Sequence, residues 1–70
     1  MPRVPGISYH RAVRALEKAG FWVDRETKHT VMKNNGITVS VPRHNSINPF
    51  TMGGIITKAG LTVEEFRELL

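Results

Sequence analysis

The chain has 70 residues, with ten Lys and Arg against six Asp and Glu for a formal net charge of +4, and it contains no cysteine. A length of this order supports one domain, spanning residues 1–70, and buries only about 60% of the surface that the unfolded chain exposes. Disulfide and cysteine-based zinc frameworks are excluded outright. No apolar run approaches the ~18 residues of a membrane span, and the first residues lack the apolar core of a signal peptide. A soluble, cytoplasmic protein is the expectation. The basic balance is the electrostatic sign of a protein that meets phosphate backbones. Apart from Asp24 and Glu26, the acidic side chains are Glu17 and a C-terminal group, Glu64, Glu65 and Glu68.

Residues 1–7 hold two prolines and a glycine and read as an extended arm. Ser8 is suited to cap a helix, its hydroxyl serving an orphan backbone N–H. Ala12, Val13, Ala15, Leu16 and Ala19 then follow helical spacing, and Gly20 ends the helix. Residues 21–26 are aromatic and β-branched and form a first strand. Thr27-Lys28 is read as a tight connection into a second strand, His29 to Asn34. Asn35-Gly36 is a two-residue hairpin signal, since both residues tolerate positive φ. Residues 37–41 alternate as a third strand, which Pro42 closes because it has no N–H for a ladder. A polar loop over residues 43–49 precedes a short helix over residues 51–59. Gly53-Gly54 in that helix suggests close packing or a kink. Thr62-Val63-Glu64-Glu65 is a capping box, and Val63, Phe66, Leu69 and Leu70 give the last helix an apolar face.

The predicted class is α+β, with a three-stranded antiparallel sheet and its helices on one face. Hairpin register assigns side chains to faces. With Asn35-Gly36 as the loop, Met32 opposes Val39 and Thr30 opposes Val41. With Thr27-Lys28 as the other loop, Trp22 opposes Lys33, Val23 opposes Met32 and Glu26 opposes His29. A core face then collects Phe21, Val23, Met32, Ile37, Val39 and Val41. The free face collects Trp22, Asp24, Glu26, His29, Val31, Lys33, Thr38 and Ser40. A slip of one residue would exchange the two sets.

This register puts His29 on the open face beside Glu26 and Lys28. Imidazole titrates nearest neutrality of all side chains, so it can take or give a proton in a reaction at physiological pH. A neighbouring carboxylate would orient the ring. Lys28 and Arg25 could hold a phosphate, Arg in bidentate fashion. RNA supplies its own nucleophile in the 2′-hydroxyl, so a small nuclease needs only a base, an acid and positive charge near the phosphorus. An exposed histidine is more often a plain surface residue, and that reading applies to His10 in the first helical turn. His44, in the stretch Val41-Pro42-Arg43-His44, either binds phosphate with Arg43 or decorates a loop. The three histidines lack the H-x₃₋₅-H spacing of a zinc site, and Gly53-Gly54 lacks the lysine and spacing of a nucleotide-binding loop. No metal and no cofactor is expected. Trp22 could stack a base or be a half-buried aromatic at the sheet edge.

The whole chain resembles the HicA toxins, the mRNA interferases of HicA–HicB toxin–antitoxin systems. The resemblance rests on Leu16-Glu17-Lys18-Ala19-Gly20-Phe21, the Arg25-x-x-x-His29 turn, Val41-Pro42-Arg43-His44, and the run from Ile55 to Phe66. It implies a double-stranded-RNA-binding-domain-like α-β-β-β-α fold. It implies a metal-independent endoribonuclease that cleaves mRNA with a single catalytic histidine and arrests growth. It also implies a HicB-like antitoxin that masks the active site. The family's catalytic histidine aligns with His29. It follows Gly-Ser in the family and Thr27-Lys28 here. Arg25, Lys28, Lys33, Arg43 and His44 are the expected RNA-binding residues. Two other readings stand beside this one. The first is a non-catalytic RNA-binding module of the double-stranded-RNA-binding type, which reads A-form shape and 2′-hydroxyls. The second is a protein-docking role for the free face.

Overall fold

A computed structural model describes residues 7–70 of the chain. The elements run α1 (Tyr9–Lys18), β1 (Trp22–Glu26), β2 (His29–Asn34), β3 (Ile37–Pro42), α2 (Pro49–Lys58) and α3 (Val63–Leu69). The sheet is antiparallel in the order β1-β2-β3. This is the α+β arrangement expected from the sequence, a helix, three strands and then helices. The extended arm expected over residues 1–7 lies outside the described residues except for Ile7. That residue is buried and forms a bridge with Ile47, whose N–H donates to the Ile7 carbonyl at 2.8 Å.

The first and last helices start where their capping residues predict. Ser8 Oγ accepts from the Arg11 N–H, and Thr62 and Glu65 form a reciprocal capping box. Asn48 caps α2 by accepting from the Phe50 N–H at 2.8 Å. This helix therefore begins at Pro49, two residues before the expected start. Proline fits the first helical position because its missing N–H is one the helix leaves unpaired anyway. Asn35, with φ 47°, and Gly36, with φ 84°, make the β2–β3 turn as expected. Its register is the predicted one, Met32 against Val39 and Thr30 against Val41.

One face of the sheet carries Thr30, Met32, Val39 and Val41, all buried, and Phe21, just before β1, is buried with them. Ala12, Ala15 and Leu16 of α1, Met52, Ile55 and Ile56 of α2, and Phe66 of α3 complete the core against it. Full burial of a Leu, Ile, Met or Phe side chain contributes roughly 1.5–3 kcal/mol, so this single cluster carries the fold. The helices pack on β3 and on each other. β1 therefore overhangs the helical layer, and Val23, expected in the core, is 39% exposed. Gly53 and Gly54 lie in a continuous helix, and a Cβ added to either would meet nothing within 4 Å. Close packing is thus not the reason for this glycine pair.

The register of β1 against β2 departs from expectation at one residue. Trp22 opposes Lys33 and Val23 opposes Met32, as expected, but Arg25 then opposes Val31 and Glu26 opposes Thr30. Asp24 is the extra residue of a β-bulge, which shifts everything after it by one. The connection is accordingly one residue longer than Thr27-Lys28. Glu26 does not oppose His29. It moves to the helix-covered side, and Arg25 moves to the open face with Val31.

Candidate functional site

His29 begins β2 directly after the turn. Thr27 holds it there: the Thr27 backbone N–H and hydroxyl both donate to the His29 carbonyl, at 2.9 and 3.3 Å. Across the ladder His29 pairs with Pro42 of β3. The chain leaves the sheet there, so His44, two residues on, comes to the same end. His29 and His44 line one open groove of about 440 Å³ together with Ser40, Pro42, Ser46, Ile47, Asn48 and Thr51. The sheet contributes His29, Ser40 and Pro42, and the loop and first turn of α2 contribute the rest. Hydroxyl, amide and imidazole groups dominate the polar lining, and no lining side chain carries a carboxylate.

His44 also borders a second groove of about 390 Å³, lined by Ser8, Tyr9, His10, Arg43 and Asn45. The Tyr9 N–H donates to the His44 carbonyl at 3.0 Å, which anchors the loop to the start of α1. Arg43 Nη2 lies 3.2 Å from Glu26 Oε1, and its guanidinium sits 5.7 Å from the Tyr9 ring centroid. The Tyr9 and His10 rings meet edge-on at 4.9 Å. Tyr9, Glu26 and Arg43 thus form a clasp at the edge of the second groove.

The expected phosphate-binding residues separate into three places. Arg25 and Lys33 lie on the open face, sharing Asp24 Oδ2 at 3.4 and 3.6 Å. Lys28 is exposed in the turn next to His29. Arg43 stands in the clasp, and His44 joins His29. Glu26, expected to orient His29, is engaged by Tyr9 and Arg43 instead. Trp22 is 51% exposed at the sheet edge. Sequence reasoning did not assign Asn48 or Thr51 to the site. The Asn48-Pro49 pair is a readable start signal for a helix, and it brings both side chains to the groove. Phe50 between them is 85% exposed. Among the described residues, no three His, Asp or Glu side chains gather as a metal site. Among the same residues, no helix is long and apolar enough to cross a membrane.

Fold and site together define a small basic α+β domain with an imidazole-lined groove at one end of its sheet. Residues 9–61 match the family model of the HicA toxin of bacterial toxin–antitoxin systems, and the chain belongs to that family. It is therefore the toxin member of such a pair, and its family implies a HicB-type antitoxin as partner. No curated protein and no solved structure matches the chain.

Proposed function

We propose that the protein is a metal-independent endoribonuclease that cleaves mRNA in the cytoplasm, with His29 as the catalytic histidine. The observation that carries this reading is the groove in which His29 stands. It is open, wide enough for a small ligand by the roughly 300–1,000 Å³ norm of such sites, and lined by imidazole, hydroxyl and amide groups. This donor set suits proton transfer and hydrogen bonding to a ribose phosphate, and it needs no cation to supply the nucleophile.

In the proposed reaction the neutral His29 imidazole takes the proton of a ribose 2′-hydroxyl, and the freed oxygen attacks the adjacent phosphorus. The bond from phosphorus to the 5′ oxygen breaks, and that oxygen takes up a proton. The products are a 2′,3′-cyclic phosphate and a 5′-hydroxyl. Lys28 beside the reacting histidine, and Arg25 and Lys33 farther along the same open face, bind the phosphates of the strand. Arg43 and His44 bind it at the loop side. A HicB-like antitoxin neutralises the toxin by covering this end of the sheet.

The test compares the purified protein with its His29→Ala variant on an oligoribonucleotide and in cells. The wild type should cleave in the presence of a chelator and arrest growth. His29→Ala should lose at least about 10²-fold in cleavage rate, the usual contribution of a positioned acid or base, and should no longer be toxic. Tight, salt-sensitive RNA binding without any product would instead favour the non-catalytic RNA-binding module.

A further inference from the structure

We propose that His44 is the general acid of the reaction, the second half of a two-histidine pair rather than only a phosphate contact. The inference rests on the endoribonuclease reading above. It starts from an elimination. The turn register expected from sequence offers Glu26 as the partner of His29, but the bulge at Asp24 carries Glu26 to the other side of the sheet. There it is held by Tyr9 and Arg43. Of the groups lining the His29 groove, His29 and His44 are the two imidazoles, and imidazole is the side-chain type suited to acid–base work near neutral pH. The remaining polar lining consists of Ser40, Ser46, Asn48 and Thr51, which hydrogen-bond but do not titrate there.

The backbone explains why both side chains border one groove. Pro42 opposes His29 in the ladder, and His44 follows two residues later, its carbonyl fixed by the Tyr9 N–H. The two grooves also distinguish the roles. His29 lines the first groove only, and His44 lines both. A strand crossing from one groove to the other has its scissile phosphate at the boundary. The nucleotide bearing the 2′-hydroxyl then lies in the first groove, within reach of His29. The nucleotide bearing the departing 5′ oxygen lies in the second, and the side chain common to both meets that oxygen.

His29 gains the 2′-hydroxyl proton as the new P–O bond forms. The His44 imidazolium gives its proton to the 5′ oxygen as the old bond breaks. Exchange with water restores both rings. The ionisable groups facing His44 are His29 across the first groove and Tyr9, His10 and Arg43 across the second.

The experiment uses two oligoribonucleotides, one ordinary and one with sulfur in place of the bridging 5′ oxygen. A thiolate leaves without being protonated, so a missing acid no longer matters. His44→Ala should lose about 10²–10⁴-fold on the ordinary substrate, the range for a lost acid or base, and recover most of that loss on the sulfur substrate. His29→Ala should stay impaired on both. The wild type should show a bell-shaped pH profile, and His44→Ala should lack its alkaline limb, because that limb reports the acid giving up its proton. Equal losses for His44→Ala on the two substrates, or no loss on either, would overturn the assignment while leaving the nuclease intact. Recovery of His29→Ala in place of His44→Ala would reverse the roles. A wild type that binds 2′-deoxy-substituted RNA but cuts neither substrate would remove the nuclease reading and this proposal with it. His44 is exposed, so its alanine variant should melt like the wild type, which separates a chemical loss from misfolding.

Discussion

The Tyr9 hydroxyl donates to Glu26 Oε1 at 3.2 Å and accepts from Thr30 Oγ1 at 2.9 Å, which links the start of α1 to both strands of the first hairpin. Thr30 is the buried polar residue of the described core, with none of its surface exposed. Tyr9→Phe removes its partner and leaves a buried hydroxyl unpaired, at a cost of about 1–3 kcal/mol. Glu26→Ala breaks contacts of a carboxylate whose side chain is 52% exposed, and exposed pairs contribute below about 1 kcal/mol. Urea unfolding should therefore rank Tyr9→Phe as the more damaging change. Adding Thr30→Val to Tyr9→Phe should recover much of the loss, since no orphaned group then remains. A larger loss for Glu26→Ala would mean that the charges, not the buried hydroxyl, hold the clasp together.

Glu26 also provides a test of the bulge. With Glu26 beside His29, Glu26→Gln would alter the ring's proton affinity and shift the acidic limb of the cleavage profile. With Glu26 on the helix-covered side, the substitution should leave that limb in place. The measurement is the pH dependence of kcat/KM on one RNA substrate for both proteins. A displaced acidic limb in Glu26→Gln would bring the carboxylate back to the histidine.

Asp24 restrains the open face. Its carboxylate sits 3.4 Å from Arg25 Nε and 3.6 Å from Lys33 Nζ, so both cations are partly neutralised by one acid. If the strand lies across this face, Asp24→Asn should tighten RNA binding about a few-fold, because two cations are released at once. It should also steepen the salt dependence, each added phosphate contact on a single strand changing the slope by about 0.7. Lys28→Ala should act in the opposite sense. Titration of a 2′-deoxy-substituted oligonucleotide at several salt concentrations reads both effects. An affinity and slope untouched by either change would place the RNA off this face.

Much of this organisation was legible in the chain. Asn35-Gly36 dictates its turn, and with it the pairing of β2 and β3. The apolar spacing from Ala12 to Ala19 dictates the buried side of α1. His29 was readable as exposed at a strand end. What sequence did not show was the bulge at Asp24. Aspartate in a charged run Asp24-Arg25-Glu26 carries no local signal for an extra residue, and a single insertion reverses the faces of all that follows. The β2–β3 register already sets Pro42 opposite His29, but the loop that carries His44 back to Tyr9 has no register of its own, so the groove that His29 and His44 share was not readable. Asn48 was missed for a different reason. Its cap was readable from Asn48-Pro49, but Gly53-Gly54 weakened the helical pattern that the cap begins.

That glycine pair yields the last prediction. Gly54 is exposed within α2, its φ is not positive, and a Cβ there would touch nothing within 4 Å. Glycine in a helix interior costs roughly 0.5–1 kcal/mol relative to alanine, mainly through the freedom it leaves in the unfolded chain. Gly54→Ala should therefore stabilise the protein by about that amount. For a domain of this size that is a rise of roughly 2–8 °C in Tm, read by thermal unfolding. Gly53→Ala should do the same, although the Gly53 carbonyl also accepts from Thr57 Oγ1 at 2.9 Å, a contact that the new methyl leaves alone. If either substitution instead lowers Tm, α2 requires a backbone that alanine resists. In that case the glycines set the geometry by which Asn48 and Thr51 reach the groove.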